Sequence, residues 1–299
     1  MSDDFSGPRV AADAGRQGPA AGTRRGQRRP WRHDLPLQVG LVTLAVFTFY
    51  PFIFLLMSSL KDVDQFQHTF WLPALPPHLE NYGQAALLVL PYLRNSLIVT
   101  CASALGVLSL STMSAYVFAR YPFPGREVLF MGIIILLIVP GILTLIPQFL
   151  LARGLGLLDT YWALILFDVA GGQVFGIFIM RSFFAAMPGE LFEAARMDGA
   201  SEVQVFWQVA VPLAAAIMVT VVIIDVLTTW NDYIWPLVTL QSEQVKTFPL
   251  GLIGLQNALQ VNYGELFAAY VVASIPLLLL FMFTMRYFVR GLTSGAIRA

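Results

Sequence analysis

Three aspartates sit inside long apolar runs of this chain: Asp168 in FDVAGG, and Asp225 and Asp232 in DVLTTWNDYIWPLV. An ionised carboxylate at mid-bilayer costs about 2.5–3.5 kcal/mol on insertion scales, so it faces a cavity or a partner group. On a continuous helix Asp225, Thr229 and Asp232 fall at i, i+4 and i+7, on one face. Counting back from Leu237, Asp232 lies about 7 Å and Asp225 about 18 Å below the outer end, with Asp168 about 10 Å down from Tyr161. Carboxylates, the Thr229 hydroxyl and the Asn231 amide can bond a hydroxyl-rich solute along a translocation path, or they can bond neighbouring helices. Trp230, Tyr233 and Trp235 fit the apolar faces of sugars and equally an interfacial aromatic belt. Asp168 with Asp225 could instead form the dyad of an intramembrane aspartyl protease. That would need both carboxylates at one depth, and a tight glycine-aspartate motif is absent.

The rest of the inventory removes other chemistries. The chain has two lysines, Lys61 and Lys246, and neither follows a glycine, so a GxxxxGK[ST] phosphate loop is impossible. His33, His68 and His78 lie in polar segments without metal-ligand spacing, so no metal site is expected. Cys101, the single cysteine, reads as packing and excludes a disulfide framework.

These groups must be positioned by a membrane protein. The chain is 57% hydrophobic and 12% charged, with mean hydropathy +0.70; soluble domains carry about twice that charge. Residues 1–36, rich in Ala, Gly, Arg and Pro, read as a disordered basic tail. Residues 37–299 then form one all-α domain, with a core at about 90–290. It has six apolar segments: Leu37–Leu60, Asn95–Phe118, Val128–Leu151, Tyr161–Met180, Leu213–Leu237 and Leu266–Phe288. Each has the roughly 20 residues that a spanning helix needs. The first is too long and too far along to read as a cleaved leader. With six spans, fourteen Lys and Arg fall on one side and four on the other. The excess places both termini in the cytoplasm. Ala102 with Gly106, and Gly171-Gly172, suit close helix packing, while Pro140-Gly141 and Pro147 should bend the third span.

This topology puts EAARMDGASEVQVFWQVAVP (193–212) on the cytoplasmic side, between the fourth and fifth spans. Pro188-Gly189 precedes a predicted helix over Glu190–Met197, with Glu190 and Glu193 near its positive end. Leu191, Phe192, Ala195 and Met197 form its apolar side, and Gly199 ends it. Ser201 caps a second helix, with Gln204 completing a capping box. Two short amphipathic helices joined at a glycine, flat with alanine, look like a surface on which another protein docks.

The spacing Glu193-Ala194-Ala195, Gly199, Val209, Val211-Pro212 resembles EAA-x3-G-x9-I-x-LP, the cytoplasmic signature of permease subunits in binding-protein-dependent ABC importers. FARYPFPGRE (118–127), GLGLLDTYWALIL (154–166), FGIFIMRSFF (175–184), WNDYIWPLV (230–238) and GLTSGAIR (291–298) resemble its carbohydrate-uptake branch, and within it the maltose-type second permease. Asp168 departs from that pattern, where relatives carry an apolar residue or proline. The resemblance implies a non-catalytic subunit forming half of a pore with a second permease, in the bacterial inner membrane. An extracytoplasmic solute-binding protein delivers sugar, and a pair of ATP-binding subunits, using ATP and Mg, docks on a coupling helix. Glu190, Glu193, Ala194, Ala195, Met197, Asp198 and Gly199 would make that contact. Asp168, Asp225, Thr229, Asn231 and Asp232 would line the path. The chain itself would bind no cofactor and no nucleic acid. A stand-alone ion-coupled transporter is the alternative class.

Overall fold

The computed structural model describes residues 35–258 and 262–296. Of the expected tail only Leu35 and Pro36 fall among them, and they open the first helix. The chain divides into two units, Met1–Tyr50 and Pro51–Ala299, and every site below lies in the second.

The helices are α1 (Leu35–Ser59), α2 (Val63–His68), α3 (Glu80–Arg120), α4 (Arg126–Ile138), α5 (Gly141–Gly154), α6 (Trp162–Ala186), α7 (Gly189–Met197) and α8 (Glu202–Val205). A π-turn over Phe206–Ala210 leads into α9 (Val211–Leu213), α10 (Ala215–Asn231), α11 (Ile234–Thr239), α12 (Phe248–Ala258) and α13 (Tyr263–Ala296). No strand occurs among the described residues. Four helices, α1, α3, α6 and α13, are long and apolar enough to cross a membrane. The number rises to six if α4 with α5, and Glu202–Leu213 with α10, each count as one bent span.

Both bends have local causes. Pro140 is the N-cap of α5, extended at ψ 126°, and α4 and α5 meet there at 103°. Pro147, expected to bend the same span, sits inside α5. Pro212 has no N–H, so the carbonyl one turn earlier loses its partner. The turn before it widens to a π register in which Val211 N–H donates to Phe206 O, and α10 leaves at 74°.

α3 is the central strut, packed on α6, α10, α12 and α13. It starts at Glu80, fifteen residues before the predicted span. The extra turns bury Ala85, Val89 and Leu93, one face at a spacing of four, against Trp230, Phe248, Ala268 and Ala269. Polar residues on this stretch, with Pro91, concealed a helix that packs on protein. A second cluster joins Val99, Ala152, Leu164, Trp235 and Leu240. Pins between loops hold this end together. Asn95 Nδ2 donates to the carbonyls of Gln244 and Lys246, each at 2.8 Å, while its Oδ1 accepts from Tyr161. Asp159 accepts the backbone N–H groups of Gln241 and Ser242 at 2.8 Å, and the Ser242 hydroxyl.

Candidate functional site

The stretch Gly189–Val205 forms as its local chemistry dictates. α7 ends in a Schellman motif: Gly199 takes φ +85°, Ala200 N–H donates to Ala195 O and Gly199 N–H to Arg196 O, both at 3.0 Å. Ser201 caps α8, and Gln204 returns its side chain to the Ser201 N–H at 2.7 Å. Across the glycine turn Arg196 grips Glu202 with both Nε (2.8 Å) and Nη2 (3.2 Å), and Tyr121 O–H donates to the same carboxylate. The Glu202 carboxylate raises the Arg196 pKa. The pair is exposed, so it contributes at most about 1 kcal/mol, but its bidentate geometry fixes the angle between α7 and α8.

One residue seats α7. Phe192 is 2% exposed, inside a cluster with Tyr116, Phe184, Val205 and Phe206 at the ends of α3, α6 and the π-turn. The Arg120 guanidinium lies 4.0 Å over its ring and donates to Met187 O at 2.7 Å. Ala195 packs beside it. Glu190, Leu191, Glu193, Ala194, Met197, Asp198 and Gly199 are exposed, Met197 at 87%. The expected apolar side is therefore divided. Phe192 and Ala195 face this chain's own core, while Leu191 and Met197 face outward.

The second site lies where three stripes of three residues at a spacing of four meet: Ser103, Val107 and Ser111 on α3, Asp168, Gly172 and Gly176 on α6, and Val221, Asp225 and Thr229 on α10. Small residues bring the backbones together. A Cβ on Gly172 would stand 2.6 Å from Asp225 Oδ1 and 2.8 Å from Val107, and one on Gly176 would stand 2.7 Å from Ser111. Gly106 is equally tight against Val169, and Gly171 meets nothing within 4 Å. A cavity of about 330 Å³ opens between α6 and α10, lined by Asp168, Asp225, Thr228, Thr229 and the rings of Phe167 and Phe175 among others. Ser103 Oγ donates to Asp168 at 3.3 Å. Asp225 is 8% exposed, and its Oδ2 has no hydrogen-bond partner.

Asp168, Asp225 and Thr229 thus share one cavity; Asn231 and Asp232 do not line it. α10 ends at Asn231, and Asp232 is extended at ψ 125°. Its Oδ1 accepts Trp235 N–H at 3.4 Å, at the start of α11. The continuous helical face, and the depths counted along it from Leu237, are corrected accordingly. A polar Asn-Asp pair before Pro236 relieves the chain of helical geometry and starts a new helix. Asn231 is exposed and bonds back to Leu227 O. Trp230 and Trp235 are both buried, so neither forms an exposed belt, and Trp235 Nε1 donates to Ala163 O at 2.8 Å. Close packing was expected of Gly171-Gly172 and falls on Gly172 alone, while Ser103 and Thr228 escaped the sequence reading. Repeats of small or polar residues every fourth position on α3 and α6 were the available signal.

Residues 86–294 match the family described as binding-protein-dependent transport system inner membrane component. The probable ABC transporter permease protein YurM of Bacillus subtilis is 32% identical, over 91% of this chain and 91% of its own length. The diacetylchitobiose uptake system permease protein NgcG of Streptomyces coelicolor is 33% identical, over 86% of this chain and 87% of its own length. A solved bacterial ABC transporter involved in the import of the acidic polysaccharide alginate superposes with a TM-score of 0.76 at 25% identity, over 87% of this chain and 98% of that chain.

Proposed function

The chain belongs to the family of binding-protein-dependent transport system inner membrane components, and from that premise we propose that it forms half of the pore of an ATP-driven carbohydrate importer. It is a permease, a multi-pass inner-membrane component. Its partners in this reading are a second permease, an extracytoplasmic solute-binding protein and a pair of ATP-binding subunits, which use the ATP and Mg. The chain itself binds no cofactor. The solutes named for its relatives, diacetylchitobiose and alginate, support a saccharide. The arginine bias of the loops supports cytoplasmic termini.

One observation carries the coupling assignment: α7 is keyed into the permease by Phe192 while its other faces are free. A helix held on one side by the ends of α3, α6 and the π-turn moves with them when a partner grips the opposite side. Closure of the ATPase pair on ATP would then rock the membrane helices as rigid bodies. Asp168, Asp225 and Thr229 line the path that opens. Asp232 orders the turn between α10 and α11, with Asn231 beside it.

The test uses the complex isolated through a tag on this chain. Gly199 stands in the left-handed region, where a β-branched side chain costs roughly 1 kcal/mol or more, so Gly199→Val should tilt α7 out of the ATPase groove. Glu193→Ala should weaken docking by about 0.5–3 kcal/mol, through a lost charge-assisted contact or lost helix-end stabilisation. Both variants should insert normally, yet lose ATPase subunits or hydrolysis stimulated by loaded binding protein, and with it uptake. Full-rate uptake with normal subunit stoichiometry in both would refute the assignment.

A further inference from the structure

The segment after α2, TFWLPALPP (69–77), carries no charged residue. Phe70, Trp71, Leu72 and Leu75 on it are exposed, Leu75 at 86%. Large apolar side chains grouped on one short loop mark a surface that water does not favour. Ring contacts show where the loop lies. Phe54 stands five residues before the end of α1 at Ser59, about 7–8 Å back along the helix. The Phe70 and Trp71 rings reach it, at centroid distances of 5.2 and 5.7 Å. Phe267, near the start of α13, joins the same cluster against Phe54 and Phe66. The loop thus folds back beside an apolar spanning helix instead of standing clear of its end.

The backbone supplies an independent observation. Irregular backbone at membrane depth is tolerated where its polar groups are satisfied within the protein. Pro73, Pro76 and Pro77 present no N–H. Lys61, fully buried, donates its ammonium to Thr69 O at 2.6 Å and to Phe70 O at 3.0 Å. Gln65 Nε2 donates to Pro76 O at 3.1 Å. The His78 N–H donates to Leu60 O at 2.8 Å and closes the base of the loop. A loop washed by water needs no such internal donors, because solvent supplies them.

α2 has the opposite character. Asp64, Gln67 and His68 are exposed, and His68 Nδ1 lies 3.3 Å from Asp64 Oδ1. The segment is therefore two-sided, polar along α2 and apolar along residues 70–75, next to the end of a span. A tryptophan with leucines beside it suits the headgroup boundary, where amphipathic rings collect.

We infer that residues 70–75 are an interfacial anchor, with Trp71, Leu72 and Leu75 set among the lipids of the outer leaflet while the polar residues of α2 face water. The inference rests on the permease reading above, whose cytoplasmic termini put this loop on the outer side.

The test places a nitroxide on Leu75→Cys, Leu72→Cys or Gln67→Cys, in a Cys101→Ser background, within the intact importer complex in lipid nanodiscs. Relaxation by oxygen, which concentrates in lipid, is compared with relaxation by a water-soluble nickel chelate. Oxygen should dominate at Leu72 and Leu75, and the chelate should dominate at Gln67. Addition of solute-binding protein should leave this order unchanged. Chelate dominance at Leu72 and Leu75 overturns the inference, as does the same order at Gln67 and Leu75. Shielding of Leu75 from both relaxants also overturns it, because a protein then covers the loop. Two label sites on the loop keep the measurement decisive where one variant assembles poorly. A complex that lacks ATP-binding subunits fails the permease reading, while the depth of Leu75 is read regardless. One that transports solute with Leu75 in water fails this inference alone.

Discussion

Phe192 connects the exposed helix to the membrane core, because its ring is the part of α7 sunk deepest between Tyr116, Phe184 and Phe206. Truncation to alanine removes that burial and the surface under the Arg120 guanidinium. Substitutions of this kind cost about 3–5 kcal/mol. Phe192→Ala should therefore free residues 189–199 to exchange amide hydrogens rapidly while the spans stay protected; unchanged protection of α7 would show that the ring does not seat it. Asp159, at the opposite end, shows a different dependence. The Ser242 hydroxyl and the two backbone N–H groups hold its carboxyl below the usual carboxylate range. A depressed pKa contributes stability that is present above the unfolded value and is lost as pH falls through the folded one. The clamp should thus be constant from about pH 8 to about pH 5, read by hydrogen exchange at 155–161. Asp159→Asn should loosen it throughout that window; a native clamp that opens above about pH 5 contradicts the assignment.

At the level of elements, the contrast between adjacent glycines is a test of helix packing. Gly172→Ala drives a Cβ into Asp225 and Val107, whereas Gly171→Ala enters open space. Overpacking costs about 1–3 kcal/mol. Gly172→Ala should lower the thermal midpoint of the purified permease measurably, and Gly171→Ala should leave it unchanged or raised; equal effects would mean that the α3, α6 and α10 stripes do not interlock. The elements that were legible in the sequence are those whose causes are local. The Gly199 terminator, the Ser201–Gln204 capping box and the bend at Pro140 each depend on a few neighbouring residues, and each occurs where its motif stands. What was not legible depends on partners distant in the chain. The inward turn of Phe192 needs Arg120 and Phe206, and the early start of α3 needs α12 and α13 to cover Ala85 and Val89. The break at Asp232 went unread because the apolar run continues through it to Leu237, which masks the change from α10 to α11. Asp168 and Asp225 were each visible as costly intramembrane charges; their shared cavity was not, because it takes a bare Gly172 to admit Asp225.

On the scale of the whole molecule, the account requires that α7 and the loop around Gln241 lie on opposite sides of the membrane. Single cysteines at Ser201 and Gln241 in a Cys101→Ser background should label from opposite faces, Ser201 from the cytoplasm. Gln241 is chosen because it is exposed, whereas the Ser242 hydroxyl belongs to the Asp159 clamp. Labelling of both from one side would contradict the six-span arrangement. More specific than topology is the proposed contact, in which a partner ATPase would grip the exposed face of α7. The most direct measurement is site-directed cross-linking from Met197, the most exposed large side chain on that helix. With Met197→Cys in the same background, a short thiol-reactive photocrosslinker should join this chain to the ATP-binding subunit, and the yield should change when ATP closes the ATPase pair. A cysteine that labels freely from the cytoplasm yet never cross-links to an ATP-binding subunit, in a complex that transports at full rate, would contradict it.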